Sequence, residues 1–488
     1  MAYGNLAELA GFLHTMAAWS CAERHPEALR PVMTGREIKD TLERAGVLPS
    51  KQLGQNFLID PNMARWIVSQ LEITPDDAVV EVGPGTGSLS EHLVGKVRRL
   101  ILIEFDARLA AMLAERFRDD PRVEVHHADG AKFDGRTLFK HRPVKFLGNL
   151  PYSCGGAILK NLLSRPQPFE RAVVMLQKEV VDRLAAGPGT KDYGILSLRT
   201  QVDWEVAPQR SVPPEAFHPR PKIDSAVAIL TPRRSGLPAF DRRLFDELIR
   251  RGFSQRRKQL KKQLPDGTNW EAISQDLGVP PTVRGEELTL KQWVELTRAC
   301  DTNPLKDLPQ KSDEIFDVVD VNDVVTGQAT RGEVHTRKLL HRAVHVFVTN
   351  KRDDLLLQQR SIFKDAHPGV WDSSVSGHLD SGEDYSEAVI RELEEEMGIR
   401  VSDAPEEIAR FAACAETRWE NVRLYHTRYD GPVRFPAAEV EAATWFPMPE
   451  LRAWAAARPD DFASGFLKCW ETVNPEQFPA LTSLHTSS

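Results

Sequence analysis

Residues 79–87 read Val79-Val80-Glu81-Val82-Gly83-Pro84-Gly85-Thr86-Gly87, a β-branched run that breaks into a glycine-rich turn. An amphipathic segment, Ser88 to Val94, follows, so the pattern is strand, turn, helix. Glycine suits such a turn because a Cβ would hold a ligand away from the backbone. Leu100-Ile101-Leu102-Ile103-Glu104 then puts a carboxylate at the end of a second strand. An acidic side chain there can accept both hydroxyls of a ribose. From Ala78 onward strand and helix alternate: strands are predicted at 78–82, 99–104, 122–126 and 144–148, and helices at 88–95 and 107–118. Such alternation builds a mostly parallel α/β sheet covered by helices on both faces. Ligands of these sheets sit beyond the carboxyl ends of the strands, where Gly83, Gly85, Glu104, Asp129 and Asn149 fall.

At 488 residues the chain exceeds a single core, and two or three domains are expected. The formal net charge is −7, so any nucleic-acid surface must be a local basic patch. No apolar run reaches the roughly 18 residues of a membrane span, and no membrane association is expected. Cys21, Cys154, Cys300, Cys414 and Cys469 are scattered, which argues against a zinc site or a disulfide framework and suits a reducing cytoplasm. Met1 to Pro31 contains Glu8, Glu23 and Glu27 and lacks a basic opening, a poor signal peptide. Residues 1–32 are read as a dispensable N-terminal extension. Met33 is an alternative start, before a capped helix from Gly35 to Leu48.

Asn149-Leu150-Pro151-Tyr152 carries chemistry. The exocyclic amine of a base is a poor nucleophile because its lone pair is conjugated with the ring. A side-chain amide oxygen and a backbone carbonyl can accept its two hydrogens and make the nitrogen more tetrahedral as it attacks a methyl group. Pro151 brings no N–H to interfere, and Tyr152 offers a flat face for a flipped base. The spacing Gly83-x-Gly85-x-Gly87 departs from the Gly-x-Gly-x-x-Gly of dinucleotide oxidoreductases, and this Asn-Leu-Pro-Tyr turn has no role in hydride transfer.

Seven motifs in order, KQLGQNFL (51–58), EVGPGTGSL (81–89), LIEFD (102–106), HADGAKFD (127–134), GNLPY (148–152), FHPRPKIDSAV (217–227) and GFSQRRKQLKKQL (252–264), resemble the 16S ribosomal RNA adenine dimethyltransferase family over residues from about 33 to 300. The resemblance implies a Rossmann-like methyltransferase domain over 33–235 and a small helical rRNA-binding domain over 236–302. It implies S-adenosyl-L-methionine as donor. The reaction would be N6,N6-dimethylation of two adjacent adenosines near the 3′ end of 16S rRNA in the small ribosomal subunit. Carried over, the donor contacts are Asn56, Leu58, Gly83, Gly85, Glu104 (ribose hydroxyls), Asp129 (adenine amine) and Asn149. Asn149 and the Pro151 carbonyl would orient the target amine, and Tyr152 and Phe217 would sandwich the target base. Transfer would be direct and would need no strong general base. Arg256, Arg257, Lys258, Lys261 and Lys262 lie in a basic run almost free of acids, a phosphate-binding surface for RNA.

Residues 303–313, with two prolines and no periodicity, read as a linker, and a strand-rich unit follows over 314–488. Within it, Gly377 to Ile399 fits Gly-x5-Glu-x7-Arg-Glu-U-x-Glu-Glu-x-Gly-U, U being apolar, through Gly377, Glu383, Arg391, Glu392, Leu393, Glu395, Glu396, Gly398 and Ile399. Glu392, Glu395 and Glu396 stand at i, i+3 and i+4, so a helix puts them on one face. Three carboxylates repel unless a hard cation lies between them, and Mg²⁺ takes such oxygen ligands and bridges phosphates. The segment resembles the Nudix box. The resemblance implies an α+β Nudix domain (α/β/α sandwich). It would use Glu392, Glu395 and Glu396 as metal ligands, and Glu395 as a catalytic residue, to hydrolyse a small-molecule diphosphate of the form nucleoside diphosphate linked to X. Glu441 is a further candidate ligand. The run His341-Arg342-Ala343-Val344-His345 with Trp371-Asp372 resembles the branch that includes isopentenyl-diphosphate isomerases. Those need a cysteine before the box, where this chain has Ser373, Ser374 and Ser376, so hydrolysis is favoured. The alternatives are an isomerase-like or non-catalytic phosphate-binding second half, and a first half that binds rRNA as an assembly factor.

Overall fold

The computed structural model describes residues 35–44, 55–233, 236–302, 313–364 and 366–472. The proposed extension 1–32, the start at Met33, Lys51 to Gly54 of the first motif and the linker stretch 303–312 lie outside them.

The first half holds β1 (Phe57–Leu58), β2 (Ala78–Val82), β3 (Arg99–Glu104), β4 (Val123–His127), β5 (Val144–Asn149), β6 (Phe169–Gln177), β7 (Trp204–Val212), β8 (Phe217–His218) and β9 (Ser225–Pro232). Seven of them form one sheet in the order β4-β3-β2-β5-β6-β9-β7. The first five run parallel, and β9 and β7 close the edge antiparallel. All five residues of β2 are buried, the signature of a strand covered on both faces. Alternate residues go to opposite sides: Val80, Ile101 and Phe146 join one apolar cluster, and Val79, Leu100 and Leu147 the other. The register sets Val82 beside both Ile103 and Gly148. The turn after β2, the end of β3 and the end of β5 therefore meet at one rim.

The helix expected at 88–95 is absent. Turns and a short 3₁₀ segment, Ser90–His92, replace it. Its two ends are left-handed glycines, Gly87 (φ 84°) and Gly95 (φ 76°), and between them serine hydroxyls are spent on tertiary partners. Ser88 Oγ donates to the Leu58 carbonyl at 2.8 Å and Ser90 Oγ to the Glu81 carboxylate at 2.7 Å. Side-chain bonds of this kind compete with helix formation.

Helices Arg242–Ser254, Trp270–Asp276 and Leu290–Cys300 pack around Trp293. Their core also takes Tyr193, Leu198 and Val202, from before position 235.

The second half opens with a hairpin of β10 (Ile315–Val319) and β11 (Val325–Thr330). Its main sheet contains β12 (His341–Thr349), β13 (Leu355–Arg360), β14 (Trp371–Asp372), β15 (Val375–His378), β16 (Glu406–Phe411), β17 (Glu420–Arg428) and β18 (Val440–Phe446). One face packs the helix Tyr385–Met397 through Val344, Val346, Val389 and Leu393. The other face is aromatic and lies under helices Met448–Ala457 and Ser464–Thr472. The result is the expected helix–sheet–helix sandwich.

The halves are joined by more than the linker. Phe139, on the 3₁₀ segment Gly135–His141, is 3% exposed inside the aromatic core of the second half. Its ring centroid lies 4.7 Å from Trp454, 5.6 Å from Phe446 and 5.7 Å from Trp371. Lys140 pairs with Glu450 at 3.0 Å and Arg142 with Asp461 at 3.5 Å. No helix of the described residues is long and apolar enough to cross a membrane.

Candidate active sites

At the rim of the first sheet, Gly83, Gly85 and Gly87 all adopt positive φ, a conformation that excludes most side chains. A Cβ on Gly85 would also press within 2.9 Å of the Phe57 ring. Glu104 is built into this turn. Its Oε2 accepts the Gly85 N–H at 3.0 Å and its Oε1 the Asp106 N–H at 2.9 Å. Burial pushes the Glu104 carboxyl up, and those two main-chain donors pull it back. Each oxygen keeps a second lone pair for an incoming hydroxyl.

β1 pairs with β8, setting Phe57 opposite His218 and Leu58 opposite Phe217. The first and sixth motifs thus meet across about 160 residues, at the end of β5. There Asn149 Nδ2 donates to the Asn56 carbonyl at 3.2 Å, which leaves Asn149 Oδ1 as an acceptor. Asp129 accepts the Ala131 N–H at 2.9 Å, with Lys132 at 3.8 Å. Half-buried Tyr152 shares a 2.5 Å hydrogen bond with Ser225, and burial raises its phenol pKa.

Two expected roles change. The Pro151 carbonyl already accepts the Gly155 N–H at 2.8 Å and the Cys154 N–H at 3.2 Å, capping the helix Gly155–Leu163. The Leu150 N–H donates to the Met175 carbonyl at 3.1 Å, which fixes the peptide before Pro151. Phe217 is not an open stacking face: it is 3% exposed, because its pairing with Leu58 draws it into the core with Met63 and Val212.

Glu81 passed unnoticed as a site residue. It is buried, hydrogen-bonded by Ser90, and pushed up to about 8, chiefly by burial. A carboxyl inside a β-branched run is the signal that could have marked it. Of the five cations expected to meet RNA, Arg256 is engaged at home. It pairs with Glu286 at 2.8 Å and donates to the Lys191 carbonyl at 2.9 Å. Arg257, Lys258, Lys261 and Lys262 are exposed, with no ion pair among the described residues.

In the second half the helix Tyr385–Met397 starts at an Asp384 capping box with Glu387 and ends at left-handed Gly398 (φ 65°). Glu392 and Glu396, one turn apart, are buried. Gly377 makes the room: a Cβ there would collide with the Glu392 carboxylate. Glu396 Oε2 accepts the Ser376 N–H and Gln358 Nε2, each at 3.0 Å. Arg391 clamps the loop to the helix, donating to Glu383 at 2.8 Å, to the His378 carbonyl at 2.9 Å and to Glu392 at 2.9 Å. Burial raises the carboxyls of both Glu392 and Glu396. Glu396 pushes Glu392 further, while Lys364 draws Glu396 back. Two buried carboxylates that repel in this way form a donor set suited to a hard divalent cation.

Glu395 stands apart from that pair. Its side chain is 55% exposed and meets Arg391 at 3.2 Å, since its position flanks the buried stripe. Glu441 is claimed by the first half instead of the metal site. Arg165 pairs with it, and Arg242 lies 3.6 Å away. Glu439 stands nearer the buried pair, raising both its carboxyls by charge, and Lys364 Nζ lies 2.8 Å from Glu439 and 3.9 Å from Glu396. The serines at the cysteine position serve the fold, Ser373 bonding His345 at 2.7 Å and Ser374 the Leu356 carbonyl at 2.6 Å.

The sequence reading also missed His335, His341 and His378, whose ligand atoms lie within 4.8 Å of one another. Glu420 is 3.1 Å from His378 and 3.7 Å from His341. Burial lowers His335 to about 4 and His378 to about 3, so these imidazoles are neutral. Nε2 of His335 and of His341 are buried with no hydrogen bond among the described residues. Neutral imidazoles beside a carboxylate match transition-metal coordination.

A family model for ribosomal RNA adenine dimethylase matches residues 49–301, and one for the NUDIX domain matches residues 339–465. A ribosomal RNA small subunit methyltransferase A of Geobacter metallireducens is 42% identical over 264 residues, covering 52% of this chain and 96% of its own length. The protein of that name from Vibrio parahaemolyticus is 40% identical over 260 residues, covering 52% of this chain and 95% of its own. Among solved structures, a dimethyladenosine transferase from Plasmodium falciparum aligns over 49% of this chain and 94% of its own, at 24% identity and a TM-score of 0.42. The chain belongs to the ribosomal RNA adenine dimethylase family and carries a NUDIX domain behind that unit.

Proposed function

We propose that the first half transfers methyl groups to N6 of two adjacent adenosines near the 3′ end of 16S rRNA, and that the second hydrolyses a nucleoside-diphosphate compound with Mg²⁺. The observation that carries the first part is Asn149, held by the Asn56 carbonyl beside the Glu104-braced turn. S-adenosyl-L-methionine, when bound, supplies the methyl electrophile. Gly83, Gly85, Asn56 and Leu58 border its place, Glu104 meets its ribose, and Asp129 meets its adenine. Asn149 Oδ1 and the Leu150 carbonyl, in place of Pro151, accept the two amine hydrogens of the target base. Tyr152 stacks on that base. With the amine hydrogens so held, the nitrogen lone pair would be turned toward the bound donor's methyl group, and its proton would pass to solvent. In this reading 33–235 holds donor and target base, and Arg257, Lys258, Lys261 and Lys262 of 236–302 meet RNA phosphates.

For the second half the supporting observation is the buried Glu392–Glu396 pair under Gly377. These carboxylates and Glu439 would hold Mg²⁺, which would supply positive charge for the diphosphate and an acidified water.

One experiment tests both parts in full-length protein. Methyl incorporation into small subunits should fall roughly 10²–10³-fold in Asn149→Ala, the range for losing one aimed polar group. Mg²⁺-dependent phosphate release should fall at least as far in Glu396→Gln. Unchanged methylation in Asn149→Ala would sink the first assignment, and unchanged release in Glu396→Gln the second.

A further inference from the structure

A crevice runs between the two halves. Arg233, Leu237, Phe240 and Arg242 wall it on the first side, and Ile362 and Phe363 on the second. It adjoins the box carboxylates through both segments that cover it. Lys364, next in the chain after Phe363, spans Glu439 and Glu396 at 2.8 and 3.9 Å. Glu441, which also lines the crevice, lies two residues beyond Glu439, and the Ser361 N–H bonds the Glu439 carbonyl at 2.9 Å.

The walls indicate what the crevice takes. Ile362 and Phe363 are 49% and 45% exposed, although the loop that carries them turns its next side chain, Lys364, inward. Facing them, Arg165 and Arg242 are matched by Asp203 and Glu441, and Arg233 by Glu205 at 3.6 Å, so three cations meet three anions and little net charge remains for a phosphate. The Arg242 guanidinium lies 5.3 Å from the Phe240 ring centroid. Flat rings, guanidinium planes and balanced charge favour a planar, uncharged group.

We propose that the crevice holds the nucleobase of the diphosphate substrate, so that the NUDIX site is composite and the methyltransferase half forms one of its walls. This inference rests on the hydrolase reading above. The diphosphate would lie at Glu392, Glu396 and Glu439, and the base would stack on Phe363 against Leu237 of the other half.

The test uses full-length protein, with ADP, GDP, CDP and UDP as probes and methyl diphosphate as the base-free control. Phe363→Ala and Leu237→Asp should each raise KM for the nucleoside diphosphates about tenfold. kcat should stay within twofold, and KM for methyl diphosphate should not change. Leu237→Ala, a milder change, should move KM in the same direction, and retained methylation by each variant reports an intact fold. Unchanged KM in the Leu237 variants, with hydrolysis still lost in Glu396→Gln, overturns the composite site and leaves the hydrolase standing. If the wild type hydrolyses none of the probes, the hydrolase reading fails. Binding of fluorescent analogues of the same four nucleotides then decides the crevice. Binding weakened tenfold by both walls' variants keeps it, and equal or absent binding overturns it.

Discussion

The two candidate sites solve their electrostatics in opposite ways. In the first half the key carboxylate, Glu104, is satisfied before any ligand arrives, since the Gly85 and Asp106 N–H groups hold both its oxygens. In the second half Glu392 and Glu396 are buried against each other, and among the described residues only Arg391 and Lys364 reach them as cations. The methyltransferase rim is preorganised by the backbone. The NUDIX box leaves two buried carboxylates whose repulsion a divalent cation would relieve. A site of the first kind tolerates the absence of its ligand, whereas a site of the second kind stores repulsion that metal relieves.

The largest expected effect would show that the halves are not independent. Phe139→Ala removes a buried ring from the aromatic core of the opposite half and should destabilise the second half by about 3–5 kcal/mol. Thermal melting monitored by tryptophan fluorescence of the Trp371 and Trp454 cluster checks this. A melt unchanged from wild type would mean that Phe139 leaves the core in solution. Next, the comparison predicts no cross-talk in chemistry. Glu396→Gln should keep methylation and Asn149→Ala should keep hydrolysis, while each loses its own activity by the two to three decades stated above. A variant that lost both activities with its fold intact would tie the sites together.

Metal should discriminate the halves thermodynamically. At about 100 times its dissociation constant Mg²⁺ should stabilise the second half by about 2.7 kcal/mol, read as a shift in its melting transition. The first half should not respond, and Glu392→Gln should abolish the shift. The smallest effect sharpens the contrast from the other side. Glu81 titrates near 8 in the fold against 4.5 unfolded. The folded state therefore holds its proton to higher pH. Full stability from this group is present below about pH 4.5 and is lost as pH rises toward 8. Glu81→Gln should raise stability at pH 8 and leave it unchanged at pH 4.5. A gain equal at both pH values in denaturant melts would rule out titration as the cause.

Local features were legible in the chain. The strands at 78–82 and 99–104 carry β-branched runs, and the box helix carries its start at Asp384 and its stop at Gly398. Signals of this kind act within a few residues. The helix expected at 88–95 failed because Ser88 and Ser90 spend their hydroxyls on Leu58 and Glu81, partners that periodicity cannot see. Glu441 was preferred to Glu439 for want of one fact, that Arg165 and Arg242 from the other half stand over Glu441. The histidine cluster draws on three separate segments, and none of them alone has ligand spacing.

The residues by themselves determined the two units, their order, the glycine turns and the i, i+4 placement of Glu392 and Glu396, because chain chemistry sets short-range geometry. Only the tertiary structure decided which acids are buried together, that Phe217 is core, that the Pro151 carbonyl caps a helix, and that Phe139 joins the halves. Those outcomes depend on which distant groups are brought within hydrogen-bond or van der Waals reach, and sheet register and domain docking set those distances.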